Sequence, residues 1–90
     1  MDLDGTWNVK RTAGWLPPML AVRKRIEGSR GETRLGPLPG VPFQVDGNAL
    51  RYQKPFSGFV DVVEPAGGIL VGRATFRGRE FGRFELRRLE

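Results

Sequence analysis

Val41-Pro42-Phe43-Gln44-Val45-Asp46-Gly47-Asn48-Ala49-Leu50-Arg51-Tyr52 reads as a β-hairpin. Asp46-Gly47 is a strong two-residue turn signal, because the favoured turn needs positive φ at its central positions. A turn centred there pairs Val45 with Asn48, Phe43 with Leu50 and Val41 with Tyr52. One face of the pair is then Val41, Phe43, Leu50 and Tyr52, and the other carries Gln44 and Arg51. That alternation belongs to an antiparallel pair with one face in a core and one in water.

The same punctuation continues in both directions. Breaks fall at 13–18, 28–31, 36–40, 46–47, 54–55, 64–68 and around Gly78, all built from Gly, Pro and small polar residues. Glu64-Pro65 is read as the start of one of these turns. Seven breaks leave eight extended segments, the regular spacing of an all-β sandwich or barrel. The stretch from Leu20 to Glu27 has room for two helical turns, but Leu20, Val22 and Ile26 alternate as a strand does. In the first segment Trp7, Val9 and Arg11 share the inward phase, with Thr6, Asn8 and Lys10 outward. From Gly58 to Val63 both phases are apolar, as at a strand covered on both faces, for example at a subunit interface.

The last hairpin carries a conflict. A Gly78-Arg79 turn pairs Phe76 with Phe81, but further on it sets Ala74 against Arg83 on the buried face. One extra residue at Gly82-Arg83 restores a buried face of Phe76/Phe81, Ala74/Phe84, Gly72/Leu86 and Leu70/Arg88. A β-bulge is therefore expected there, as at barrel corners.

Gly5-Thr6-Trp7 opens the first of the eight segments. A Gly-x-Trp in that place resembles the signature of the lipocalins and the wider calycin group, which are up-and-down barrels of eight strands. The resemblance implies a small antiparallel barrel, lipocalin-like, in one domain spanning residues 1–90. It implies that Trp7 lies near a closed end with an Arg of the last strand packed across it, either Arg88 or Arg87. It also implies that the longest connection, Thr12 through Met19, lids the open mouth. The chain is shorter than the family's usual barrels. Strands of about six residues, ~20 Å each, make a shallow cup once tilted. Such a barrel either fills with side chains or holds one small ligand.

Composition narrows the chemistry. The 90 residues contain neither Cys nor His, so there is no disulfide, no thiolate and no imidazole base or ligand. Ser29, Ser57 and the threonines have no activating partner of that kind. Gly36-Pro37-Leu38-Pro39-Gly40 lacks the N–H donors of a phosphate loop. Asp61 and Glu64 are the nearest approach to a carboxylate pair, and the expected turn at Glu64 separates them. The sequence thus predicts no enzyme, no metal and no cofactor. Net charge is +5, with 12 Arg against 3 Lys. That bias fits either anion recognition or the base composition of the genome. No apolar run approaches the ~20 residues of a membrane span. The expectation is a cytoplasmic protein, homodimeric because so small a core is marginal alone.

Candidate ligand residues follow from phase. Lys24 alternates with Val22 and Ile26 and so points inward, where it and Tyr52, with Arg11, would meet the head group of an acidic amphiphile, much as fatty-acid carriers use basic residues and a Tyr. The other reading leaves it exposed beside Arg23 and Arg25. Gly72 and Ala74 are small and inward, leaving room in the cup. Trp15, Leu16, Met19 and Leu20 flank Pro17-Pro18 in an apolar loop that reads as a lid, a docking surface or packing on one barrel end. Trp7 and Arg88 read as a structural cation–π latch. Arg73, Arg77, Arg79, Arg83 and Arg87, interleaved with Phe76, Phe81 and Phe84, form a basic hairpin that superficially resembles a single-strand nucleic-acid platform. Three functions are carried forward: binding of a small hydrophobic or acidic-amphiphilic molecule, a scaffold barrel acting through its own oligomer, and nucleic-acid binding.

Overall fold

The computed structural model of the chain describes residues 2–15, 19 and 21–89. Eight antiparallel strands follow in sequence order: β1 (Gly5–Gly14), β2 (Val22–Glu27), β3 (Arg30–Leu35), β4 (Val41–Asp46), β5 (Ala49–Tyr52), β6 (Phe59–Ala66), β7 (Ile69–Phe76) and β8 (Arg79–Arg88). Each pairs with the next, and β8 returns to β1, closing the sheet into an up-and-down barrel. Closure leaves no unpaired edge strand. No helix among the described residues is long and apolar enough to cross a membrane.

The two ends differ. At one, β2–β3, β4–β5 and β6–β7 are joined by tight turns at 28–29, 47–48 and 67–68. Ile26, Phe43, Leu50, Val63, Leu70 and Leu86 fill this half. The segment before β1 closes it: Leu3 is buried, and its carbonyl accepts the Trp7 indole N–H at 2.8 Å. Arg88, in register with Trp7, lays its guanidinium 4.3 Å from the indole ring and donates to the Asp4 carbonyl. The expected latch is Arg88, not Arg87. Trp15, Met19 and Ala21 between β1 and β2, the longer connections 36–40 and 53–58 and the β7–β8 turn gather at the other end, the mouth.

Several registers differ from the sequence reading, for identifiable reasons. In the β4–β5 hairpin the turn residues are Gly47 and Asn48, so Phe43 faces Tyr52 and Val45 faces Leu50. Gly47 holds φ 60° at the first central position, which leaves Asp46 free to pair with Ala49. The displacement is two residues, so every side chain keeps its expected face. In the β7–β8 hairpin Arg77 (φ 49°) and Gly78 (φ 83°) form the turn, with Phe76 opposite Arg79. The bulge is present, but its extra residue is Phe81, and Ala74 faces Gly82. Gly72 then faces Phe84, and Leu70 faces Leu86 rather than Arg88. Phe76 is exposed instead of buried against Phe81. A matching slip at Thr12 lets β1 follow β8 round this corner. There Gly14 packs so closely on the Phe81–Gly82 backbone that a Cβ would clash.

Glu64-Pro65 is strand, not turn: Pro65 pairs with Leu70, and the turn is Gly67-Gly68. The β5 ladder ends at Ala49 opposite Val62, so one side of β6 has no partner strand at Pro65, where a missing N–H is tolerated. Arg11 is exposed rather than inward. In β6 the inward phase is Phe59, Asp61 and Val63. Val60 and Val62 are half-buried outside, in register with Arg51 and Arg73, whose aliphatic stems can shade them without a second subunit.

Candidate functional site

Above the packed half, the barrel opens into a cavity of about 460 Å³. Val9, Val22, Ala74 and Phe84 line its lower wall, and Met19, Leu35, Val41, Phe56, Phe59 and Phe81 its upper wall. Phe84 folds over Gly72, filling the space that a side chain there would occupy. Ala74 borders the cavity, although it is itself buried. Of the two small residues expected to leave room, one lies on the cavity wall.

The floor of this cavity is polar. Lys24, on β2, is 3% exposed, so the inward reading of its phase holds. Asp61 lies on β6, four strands round an eight-stranded barrel and therefore on the opposite wall. Their side chains meet across the lumen, Nζ to Oδ2 at 2.8 Å. Thr33, directly across the ladder from Lys24, and Tyr52, at the end of β5, complete the group. Lys24 donates to Thr33 Oγ1 and to Tyr52 Oη, each at 2.7 Å. Tyr52 donates to Asp61 Oδ2 at 3.2 Å, and with that proton committed, Thr33 donates to Tyr52 at 2.6 Å. All three ammonium protons are thereby used. The rings of Phe43, Tyr52 and Phe84 stand 5.3–5.5 Å from Nζ, within cation–π range. No buried side-chain polar atom among the described residues lacks a partner.

The electrostatics follow. Burial alone would lower the Lys24 pKa; the oxygens of Tyr52 and Asp61 outweigh it and push it up to about 12. Burial raises the Tyr52 phenol above its ordinary value, against the opposing pull of Lys24. The floor is thus an ammonium–carboxylate pair with a neutral phenol and hydroxyl between them. Its net charge is zero.

Of the expected ligand residues, Lys24, Tyr52 and Ala74 share this cavity, and Gly72 lies behind Phe84. Trp15 stands at the mouth, its backbone N–H donating to the Phe81 carbonyl at 2.8 Å, and the residue is 90% exposed rather than packed. Leu16, Pro17, Pro18 and Leu20 lie outside the described residues. Trp7 and Arg88 sit at the closed end, away from the cavity. Arg11 is not among the residues that line the cavity. The residues that sequence reasoning missed are Thr33 and Asp61. Asp61 shares phase with Phe59 and Val63, and that signal places it inside. In the basic hairpin, Phe84 is buried and Phe81 turns into the cavity, so Phe76 alone offers an outward ring, which Arg77 approaches at 5.3 Å. Compared with family models, with curated proteins and with solved structures, the chain matches none of them.

Proposed function

We propose that the barrel binds one small, largely apolar, uncharged molecule without chemical change, in the manner of the lipocalins that its opening Gly-x-Trp resembles. The observation that carries this reading is the 460 Å³ cavity whose polar floor is already neutralised from within. Small-molecule sites typically occupy ~300–1,000 Å³ and combine apolar walls with a few polar groups. The floor also favours an uncharged ligand. An acidic amphiphile would need a free ammonium proton, and Lys24 has none to give without abandoning Asp61, Thr33 or Tyr52. A carboxylate would also meet Asp61 itself. A neutral molecule carrying one hydroxyl or amide N–H can instead donate to the lone pairs left on Thr33 and Asp61, so no bond of the floor is given up. Catalysis by Lys24 as an amine nucleophile is disfavoured on the same ground, because Asp61 holds it as the ammonium.

The test is a pair of fluorescent probes, the neutral N-phenyl-1-naphthylamine and a dansylated fatty acid. Saturable binding of the neutral probe, weaker binding of the anion and a loss of about tenfold or more in affinity for Ala74→Leu are expected. If neither probe binds, or if the anion binds better and the substitution changes nothing, the reading fails.

A further inference from the structure

We infer that the mouth of the barrel is a docking surface for an anionic lipid bilayer. Seven large apolar side chains are exposed among the described residues, and five of them stand at this one end: Trp15, Leu35, Leu38, Phe56 and Phe76. They come from all four mouth connections or the strand ends beside them, so they form a ring rather than a single stripe. Trp15 is the most exposed, at 90%, and Leu38 follows at 58%. The aromatic members continue inward. Phe59 lies 4.8 Å from Phe76, 6.3 Å from Phe56 and 5.9 Å from Phe81, making one apolar surface from rim to cavity wall.

Charge identifies the occupant. No Asp or Glu stands at Trp15, in 36–40, in 53–58 or at 77–78, and Glu32, whose carboxylate lies against Gly40, is paired with Arg34 at 3.4 Å, whereas Lys54, Arg77 and neighbouring Arg79 are cationic and exposed. The nearest carboxylate of the tip hairpin, Glu80, is held by Arg83 at 2.9 Å. A ring of Trp, Phe and Leu with Lys and Arg among them matches a headgroup layer: the apolar tips enter the acyl boundary and the cations meet lipid phosphates. A second copy docked mouth to mouth would instead bring the same three cations together. Docking points the cavity at the hydrocarbon, from which an apolar ligand would come, but it rests on the rim alone and stands if no cavity ligand exists.

The experiment is co-sedimentation of the full chain with phosphatidylcholine vesicles, with and without phosphatidylglycerol, while Trp emission is recorded. Trp15 is exposed and Trp7 buried, so a blue shift on binding reports Trp15. Binding to the anionic vesicles with a blue shift is expected. Lys54→Gln and Arg77→Gln should each lower the partition coefficient about fivefold. Trp15→Ser, at a residue that is 90% exposed, should weaken binding without touching the fold. Arg30→Gln, beside the closed-end turn, and Arg87→Gln, on the barrel wall, should have little effect. No binding at low salt, or equal loss from wall and rim substitutions, overturns the proposal. So does a dimer in sedimentation equilibrium that Phe76→Ser dissolves, which would assign the rim to a second copy.

Discussion

Lys24 and Asp61 illustrate how much a single buried pair asks of its surroundings. Each charge loses water, and the Coulombic gain between them offsets that loss only while the geometry and remaining hydrogen bonds stay complete. Asp61→Ala would strand the ammonium among Phe43, Tyr52 and Phe84, at a cost of about 3–5 kcal/mol. The double variant Lys24→Met with Asp61→Leu removes both charges and keeps the volume, so most of that stability should return. Urea midpoints for the two single variants and the double one give the coupling directly. Strict additivity would show that the pair is not the unit described. The sequence disclosed half of this pair. Lys24 falls in phase with Val22 and Ile26, and the phase was legible, but a solvated strand reads the same way. What decides between them is a carboxylate that arrives from β6, and no local pattern announces a partner 37 positions away, between Lys24 and Asp61.

At the scale of strands, the count and the positions of most turns could be read from Gly and Pro, while pairing registers could not. In both hairpins a Gly takes the left-handed backbone, Gly47 at φ 60° and Gly78 at φ 83°, and the residue that shares the turn with it, Asn48 or Arg77, lies on the side opposite to the one the sequence reading chose. That choice depends on φ at each position rather than on residue spacing. Faces survived because the β4–β5 error was a whole pleat repeat, and because the bulge was anticipated within one residue. Two strand glycines show what register then demands. A Cβ on Gly72 would overlap the far edge of the Phe84 ring, which has the cavity to swing into. A Cβ on Gly31 would overlap both the Arg25 carbonyl and the Phe43 ring, in the filled half of the barrel. Gly31→Ala should therefore destabilise more, by about 1–3 kcal/mol. Gly72→Ala should cost less stability but weaken probe binding, as the displaced ring enters the cavity. Thermal unfolding and probe titration on the two variants check the contrast, and equal effects on both readouts would refute it.

Taken as a whole, the barrel should lose stability at high pH. Lys24 titrates near 10.5 when unfolded and at about 12 when folded, so its contribution is complete below pH 10.5 and lost as pH rises through about 12. Tyr52, raised above its unfolded 10.0, has the same sign, because the native state keeps a proton that the unfolded state releases. Stability should fall by ~2 kcal/mol across this window from Lys24 alone. Tyr52 is the only tyrosine, so its phenolate absorbance should rise together with unfolding and not before it. A phenolate signal preceding unfolding, or a flat denaturation midpoint up to pH ~12, would contradict the buried network. The closed topology has one more consequence. The seam between β1 and β8 joins Trp7 to Arg88, nearly the full length of the described chain. Every other ladder joins neighbours in sequence, so a chain emerging from the ribosome can build seven strands one after another. It still cannot shut the wall until the last strand arrives. Until then the nascent sheet has two bare edges and an unsealed interior, and the final strand is a lock that any second nascent chain could also fit.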